Sequence, residues 1–275
     1  MTTAPVPPIL YGTAWKKEHT AELVSLALRV GFRGVDTACQ PKHYDEAGVG
    51  AGIAVCLAEG LARADLYLQT KFTALAGQDP ERLPYDPRAP LETQVRQSFD
   101  TSLRNLQTTY LDCLVLHSPL GELKQTLTAW RAMEELASSG AVRQLGISNC
   151  YSLAYLKELQ RAAGVKPAVV QNRFYADTGY DREIRAFCSE NDIVYQSFWT
   201  LTANPHLLKS EPVRALAAKH GRSPVQVLFR YLTQERVVPL TGTTREAHMR
   251  EDLAIFEFEL AADERAAITE LLRGR

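Results

Sequence analysis

The chain has 275 residues, 45% hydrophobic and 23% charged, with a formal net charge of −1. So even a balance gives no bulk attraction to nucleic acid or an anionic membrane surface, and no apolar run approaches the ~20 residues that a membrane-spanning helix needs. A prior of about 150 residues per domain would suggest two domains, but α/β barrels of about 250 residues fold as one, and a single domain over 1–275 is expected.

In chain order, short β-branched runs alternate with amphipathic helical stretches. Strands are predicted at ILYGTA (9–14), GVDTA (34–38), LYLQTK (66–71), LDCLVLH (111–117), VRQLGISN (142–149), AVVQNRF (168–174), IVYQSF (193–198) and VVPLTGT (237–243). Several are densely apolar rather than alternating, as expected for parallel strands covered on both faces. TAELVSLALRV (20–30) and LETQVRQSFDTSLRNLQ (91–107) carry apolar residues at three- and four-residue steps and are predicted helices. Ser223-Pro224-Val225-Gln226 is a helix start with a capping box, and Gly31, Gly140 and Gly164 are expected helix stops.

Eight strands with intervening helices argue for a closed (β/α)8 barrel. The alternative, an open doubly wound sheet, would carry a G-x-G-x-x-G after its first strand; YGTAWKK lacks it. The segment 72–90, rich in proline, glycine and charge, follows the third strand with no predicted structure. It is either a functional loop on the active-site face or a tolerated insertion.

The N-terminus, MTTAPVPPIL, lacks a basic segment leading into a long apolar one, so no secretory signal is expected. Cys39, Cys56, Cys113, Cys150 and Cys188 are scattered, with no C-x-x-C, and neither they nor the six histidines cluster at ligand spacing. Buried reduced thiols, a cytoplasmic location and no metal site are expected.

In a barrel, polar residues at strand C-terminal ends are the first candidates for chemistry. Asp36, Lys71 and His117 close the second, third and fourth strands, and Tyr44 lies just beyond the second. Singly, each has an ordinary structural role; together they converge on one mouth. Reducing a carbonyl requires a proton for the new alkoxide. Tyrosine is a weak acid, with a reference pKa of about 10, and an adjacent ammonium stabilises its phenolate. Lys71 can supply that charge, Asp36 can hold Lys71, and His117 can hydrogen-bond the substrate oxygen.

GFRGVDTA…HYDEAGVGAGI, LQTKF, VLHSP, LGISN and VVQNRF, in this order, resemble the signature of the aldo-keto reductases, from about Leu10 to Leu260. The resemblance implies a catalytic tetrad of Asp36, Tyr44, Lys71 and His117. It implies a nicotinamide cofactor held by Gly12, Thr13, Asp36, Ser148, Asn149 and Gln171, with Phe198 in place of the stacking aromatic. Trp199, Thr200 and Leu201 would follow the pyrophosphate, and Gly242, Thr243, Thr244, Arg245, His248, Glu251 and Asp252 the adenosine phosphate. Trp15, Tyr44, Tyr85, His117 and Trp199 are the expected substrate contacts, with His43 a minor rival to Tyr44 as proton donor.

Three departures stand out. Asp36 and Tyr44 are eight positions apart where the family more often has five. The lysine and arginine that grip the 2′-phosphate in many NADPH-dependent members are replaced by Gly242 and His248, with Arg245 and Arg250 nearby. The chain also ends soon after ADERAAITELL, where many relatives have a longer loop over the pocket. The expected cofactor is NADPH, with NADH the second option, and the expected partner is a small carbonyl or alcohol substrate; the sequence leaves the oligomeric state open, with a monomer favoured. Two other readings are a non-catalytic cofactor-binding regulatory subunit of the same fold, and a lyase or isomerase using Lys71 as a Schiff base.

Overall fold

The computed structural model describes residues 5–273. Eight parallel strands close into a barrel in sequence order: β1 (Leu10–Gly12), β2 (Gly34–Asp36), β3 (Tyr67–Phe72), β4 (Leu111–Leu116), β5 (Val142–Ser148), β6 (Val169–Arg173), β7 (Val194–Phe198) and β8 (Val237–Thr241). The expected (β/α)8 architecture is therefore present. Helices α1 (Thr20–Val30), α2 (Glu46–Ala58), α3 (Leu91–Leu106), α4 (Leu123–Ser138), α5 (Leu153–Ala162) and α6 (Arg182–Glu190) follow the first six strands in turn. Three helices lie between β7 and β8: α7 (Pro205–Lys209), α8 (Glu211–His220) and α9 (Pro224–Gln234). Then come α10 (Glu246–Leu253) and α11 (Ala262–Arg273). No helix among the described residues is long and apolar enough to cross a membrane.

The two faces of each strand bury into different cores. On β3, Leu66 just before it, Leu68 and Phe72 join the large layer between barrel and helices, whereas Tyr67 joins Leu10, Cys113, Val115 and Val169 inside the barrel. Side chains alternate with period two, so Tyr67, Gln69 and Lys71 climb one inner wall. The interior becomes polar toward the top. Gln69 and Gln171 both donate to Asp36 Oδ1, at 2.6 and 2.9 Å, and both reach Gln196 Oε1, at 2.8 and 2.9 Å. That amide layer is the floor on which the ionisable groups stand.

Helix ends follow the sequence signals with one exception. Ser223 and Gln226 form the expected capping box of α9. Gly31 and Gly140 hold positive φ of 129° and 82° just past α1 and α4. Gly164 does not act as a left-handed stop: α5 ends at Ala162, and Ala163 leaves in extended conformation at φ −68°, ψ 138°. Strands β1 and β8 stop at Gly12 and Thr241, short of the predicted 14 and 243, because the chain turns away to form the mouth; Trp15 already has φ 64°.

The 72–90 segment is tied down rather than loose. Leu75–Gly77 makes a 3₁₀ turn, Thr101 Oγ1 donates to Pro84 O at 3.0 Å, and Gln97 Oε1 accepts from Asp86 N at 2.8 Å. Tyr85 is buried, stacks at 5.7 Å from Phe72, and donates to Thr73 O at 2.8 Å. It therefore serves as a strut under the loop, with its hydroxyl turned to Thr73 O.

Candidate active site

The four residues expected to act together do meet. Asp36 ends β2, and its pairing with Gln69 on β3 sets it beside Lys71, two residues higher on the same inner face. Lys71 is only 1% exposed; its Nζ donates to Asp36 Oδ1 and Oδ2 at 2.7 Å each and to Thr37 O at 2.8 Å. Burial alone would lower its pKa, but the Asp36 carboxylate, helped by Tyr44, outweighs it and holds the ammonium above its ordinary value.

The placement of Tyr44 is a matter of backbone. After β2 the chain keeps following β3, with Thr37 N donating to Gln69 O at 2.9 Å and Cys39 N to Lys71 O at 3.2 Å. It then turns sharply, His43 N and Tyr44 N both donating to Gln40 O. Asp45 caps α2 by accepting from Gly48 N at 2.9 Å. Tyr44 thus sits one residue before a helix cap, half-buried, with Lys71 Nζ 5.3 Å from its ring centroid. Burial raises its phenol pKa; Lys71 pulls it down and Asp36 pushes it up, so it stands above 10. The ammonium acts in the expected direction, but desolvation is the larger effect, and at neutral pH Tyr44 is a phenol with a proton to give.

His117 follows β4, its ring edge-on to Tyr44 at 6.1 Å. Its N–H donates to Phe72 O at 2.9 Å, its carbonyl accepts from Asn149 Nδ2 at 2.9 Å, and its Nδ1 lies 2.6 Å from Thr73 Oγ1. Burial, with the charges of Lys71 and His43, lowers its pKa to about 3, so the imidazole is neutral. His43, the rival donor, instead stacks on Trp15 with centroids 4.0 Å apart, and burial lowers its pKa. A cavity of about 690 Å³ opens beside Tyr44, walled by Trp15, Lys42, His43, Leu83, Pro84 and Asn105. Trp15 and Trp199, 62% and 50% exposed, put two indoles on the protein surface.

The residues expected around a cofactor divide into two groups. Thr13, Gln171, Thr200 and Asp252 are buried and occupied. Thr13 Oγ1 donates to Asp36 O at 2.9 Å, and Thr200 Oγ1 to Ser197 Oγ at 3.0 Å. The Gln171 amide nitrogen belongs to the polar layer described above. Asp252 is buried and accepts from Thr241 Oγ1 at 2.7 Å, while burial raises its pKa to about 7. Asn149, at φ 54°, bonds His117 and Ser148. The second group is open: Gly242, Thr244, Arg245, His248 and Glu251 are exposed, and Gly12, Thr243, Phe198 and Leu201 partly so. Thr243 Oγ1 accepts from the Arg245 N–H at 3.3 Å, shaping the entry to α10.

Sequence reasoning missed three residues here. Lys16 reaches over from the β1 loop to donate to Gly242 O, supplying a cation beside β8 where the expected lysine is lacking. Arg173, closing β6, lies 4.0 Å above the Trp199 ring and 6.0 Å from Phe198. Thr73 holds His117. The lysine in YGTAWKK and the arginine in QNRF lie close to strand ends, but nothing in the sequence marks either as unpaired.

Comparison with known proteins identifies the family. The family model described as "Aldo/keto reductase family" matches residues 9–273. A glyoxal reductase of Bacillus subtilis (strain 168) is 32% identical, over 90% of this chain and 81% of its own length. A methylglyoxal reductase, DkgA, of Yersinia pestis is 28% identical, over 94% of this chain and 86% of its own. The crystal structure of an aldo/keto reductase from Brucella melitensis superposes with a TM-score of 0.81 at 29% identity, covering 96% of this chain and 95% of that one. The chain belongs to the aldo/keto reductase family.

Proposed function

We propose that this protein reduces aldehydes or ketones to alcohols with NADPH, using Tyr44 as general acid. The observation that carries the reading is the convergence of Asp36, Lys71, Tyr44 and His117 on one mouth. Fit for a nicotinamide dinucleotide is supported by charge. Lys16, Arg173 and Arg245 stand at or just beyond the ends of β1, β6 and β8, and among the described residues none is in an ion pair; Arg250, by contrast, is held by Glu246 at 2.6 Å. Uncompensated cations at strand C-terminal ends suit a ligand rich in phosphate. Ser148, Asn149 and Gln171 would hold the carboxamide end, Phe198 would stack on the ring, and Lys16, Thr243, Thr244, Arg245 and His248 would take the phosphates. When bound, the cofactor supplies a hydride to the carbonyl carbon. Tyr44 gives its proton to the carbonyl oxygen, the Lys71 ammonium, held in place by Asp36, stabilises the phenolate left behind, and neutral His117 orients the oxygen.

The Schiff-base reading fares poorly, because a lysine nucleophile must be an amine and Lys71 is held as an ammonium by Asp36 and Thr37. The cavity beside Tyr44 and the exposed indoles suit small, partly apolar carbonyl compounds; the names of the relatives make 2-oxoaldehydes the first to try. The test is loss of NADPH and NADH absorbance with a panel of aldehydes. Turnover that is faster with NADPH supports the reading. Tight cofactor binding with no turnover on any carbonyl overturns it in favour of a regulatory subunit.

A further inference from the structure

His117 can hydrogen-bond a substrate oxygen only if the proton sits on Nε2, the nitrogen not facing Thr73. A neutral imidazole carries one proton, and the partner of the other nitrogen decides where it resides. Thr73 is buried, and its Oγ1 lies 2.6 Å from His117 Nδ1. Among the described residues that hydroxyl has no other hydrogen-bond partner. If Nδ1 carried the proton, the threonine hydrogen would be buried without an acceptor, a costly arrangement. The hydroxyl therefore donates to Nδ1, and Nε2 carries the proton.

Thr73 is itself held in place. Its carbonyl accepts from Tyr85 Oη at 2.8 Å and from Gln78 Nε2 at 3.1 Å, and Gln78 Nε2 also donates to Cys39 O at 2.9 Å, on the segment leading to Tyr44. Both donors belong to the 72–90 loop. We propose that Thr73 is a positioning residue that fixes His117 as its Nε2–H tautomer, and that the 72–90 loop, through Tyr85 and Gln78, clamps Thr73 in place. The idea rests on the carbonyl-reductase reading, but its primary test does not need turnover.

The experiment is nitrogen NMR of the imidazoles in the whole protein, with His117 assigned by His117→Gln, alongside steady-state reduction. The wild-type ring should show a protonated Nε2 and an Nδ1 resonance shifted by an accepted hydrogen bond. In Thr73→Val, which keeps the shape and removes the hydroxyl, the Nδ1 resonance should move to its free position and kcat/KM should fall about tenfold. Thr73→Ser should restore both. A wild-type spectrum with the proton on Nδ1 overturns the proposal, even if Thr73→Val does not fold. So does an unmoved Nδ1 resonance in Thr73→Val, or a loss that Thr73→Ser does not repair. Absence of carbonyl reduction with the expected spectra would instead sink the catalytic reading and leave the clamp standing.

Discussion

At the scale of single residues, the proposed reaction draws its proton in the reductive direction from the Tyr44 phenol. Its pKa is raised mainly by burial, so reduction is fully supported at neutral pH and declines only as pH rises through that value. Tyr44→Phe should lower the reduction rate by about 10²–10⁴-fold, the usual range for a general acid, while a fluorescence titration shows unchanged cofactor binding; near-normal turnover would remove Tyr44 from the role. In the oxidative direction the phenolate is the base and the sign reverses, the rate climbing with pH. Lys71 is the group pulling the phenol down, so Lys71→Met should move the oxidation midpoint upward, and an unmoved midpoint would refute the electrostatic coupling. These four residues were legible in the sequence because the chemistry dictates their types and the strands dictate their places. Thr73, Lys16 and Arg173 were not, because each acts across a loop or a neighbouring strand, and such reach is a property of tertiary packing.

At the scale of elements, all eight strands and the main helices were legible, because strands covered on both faces and amphipathic helices leave distinct periods. Ends were less so: β1 and β8 are cut short by mouth turns whose partners lie far away in sequence. The helix α2, which presents Tyr44, shows why packing escapes the sequence. A Cβ on Gly50 would lie 2.0 Å from Asn105 O, a backbone atom at the end of α3. Gly50→Ala therefore forces two helices apart and should destabilise the fold by about 1–3 kcal/mol or more, read as a lowered denaturation midpoint with unchanged slope. The proposed cofactor preference rests on the opening turn of α10. Arg245 is its N-cap, exposed and, among the described residues, without a carboxylate partner, whereas Arg250 is paired within the helix. A charge-assisted hydrogen bond contributes roughly 1.5–3 kcal/mol, so Arg245→Ala should weaken NADPH binding about ten- to a hundredfold and spare NADH. Equal weakening of both cofactors in parallel titrations would make Arg245 structural.

At the scale of the whole molecule, the barrel buries ionisable groups whose protonation the sequence alone did not reveal, and they act on stability in opposite directions. His117 has a pKa of about 3 in the fold against about 6.5 when unfolded. Below pH 6.5 the unfolded chain takes up a proton that the fold refuses, so the stability from neutral His117 is complete above 6.5 and drains away as pH falls toward 3. Asp252 stands at about 7 in the fold against about 3.9 when unfolded. Above 3.9 the unfolded chain releases a proton that the fold retains, so the contribution of Asp252 is complete below 3.9 and lost as pH rises to about 7. Between about pH 4 and 6.5 the two slopes oppose one another. Asp252→Asn, which keeps an oxygen for Thr241, should gain stability relative to wild type as pH rises through this window. His117→Gln should gain relative to wild type as pH falls through it. Denaturation midpoints of the three proteins from pH 4 to 8, plotted as differences from wild type, check both signs at once. Difference curves that are flat, or that slope the same way, would mean that one of these two groups is not held in the protonation state its burial implies.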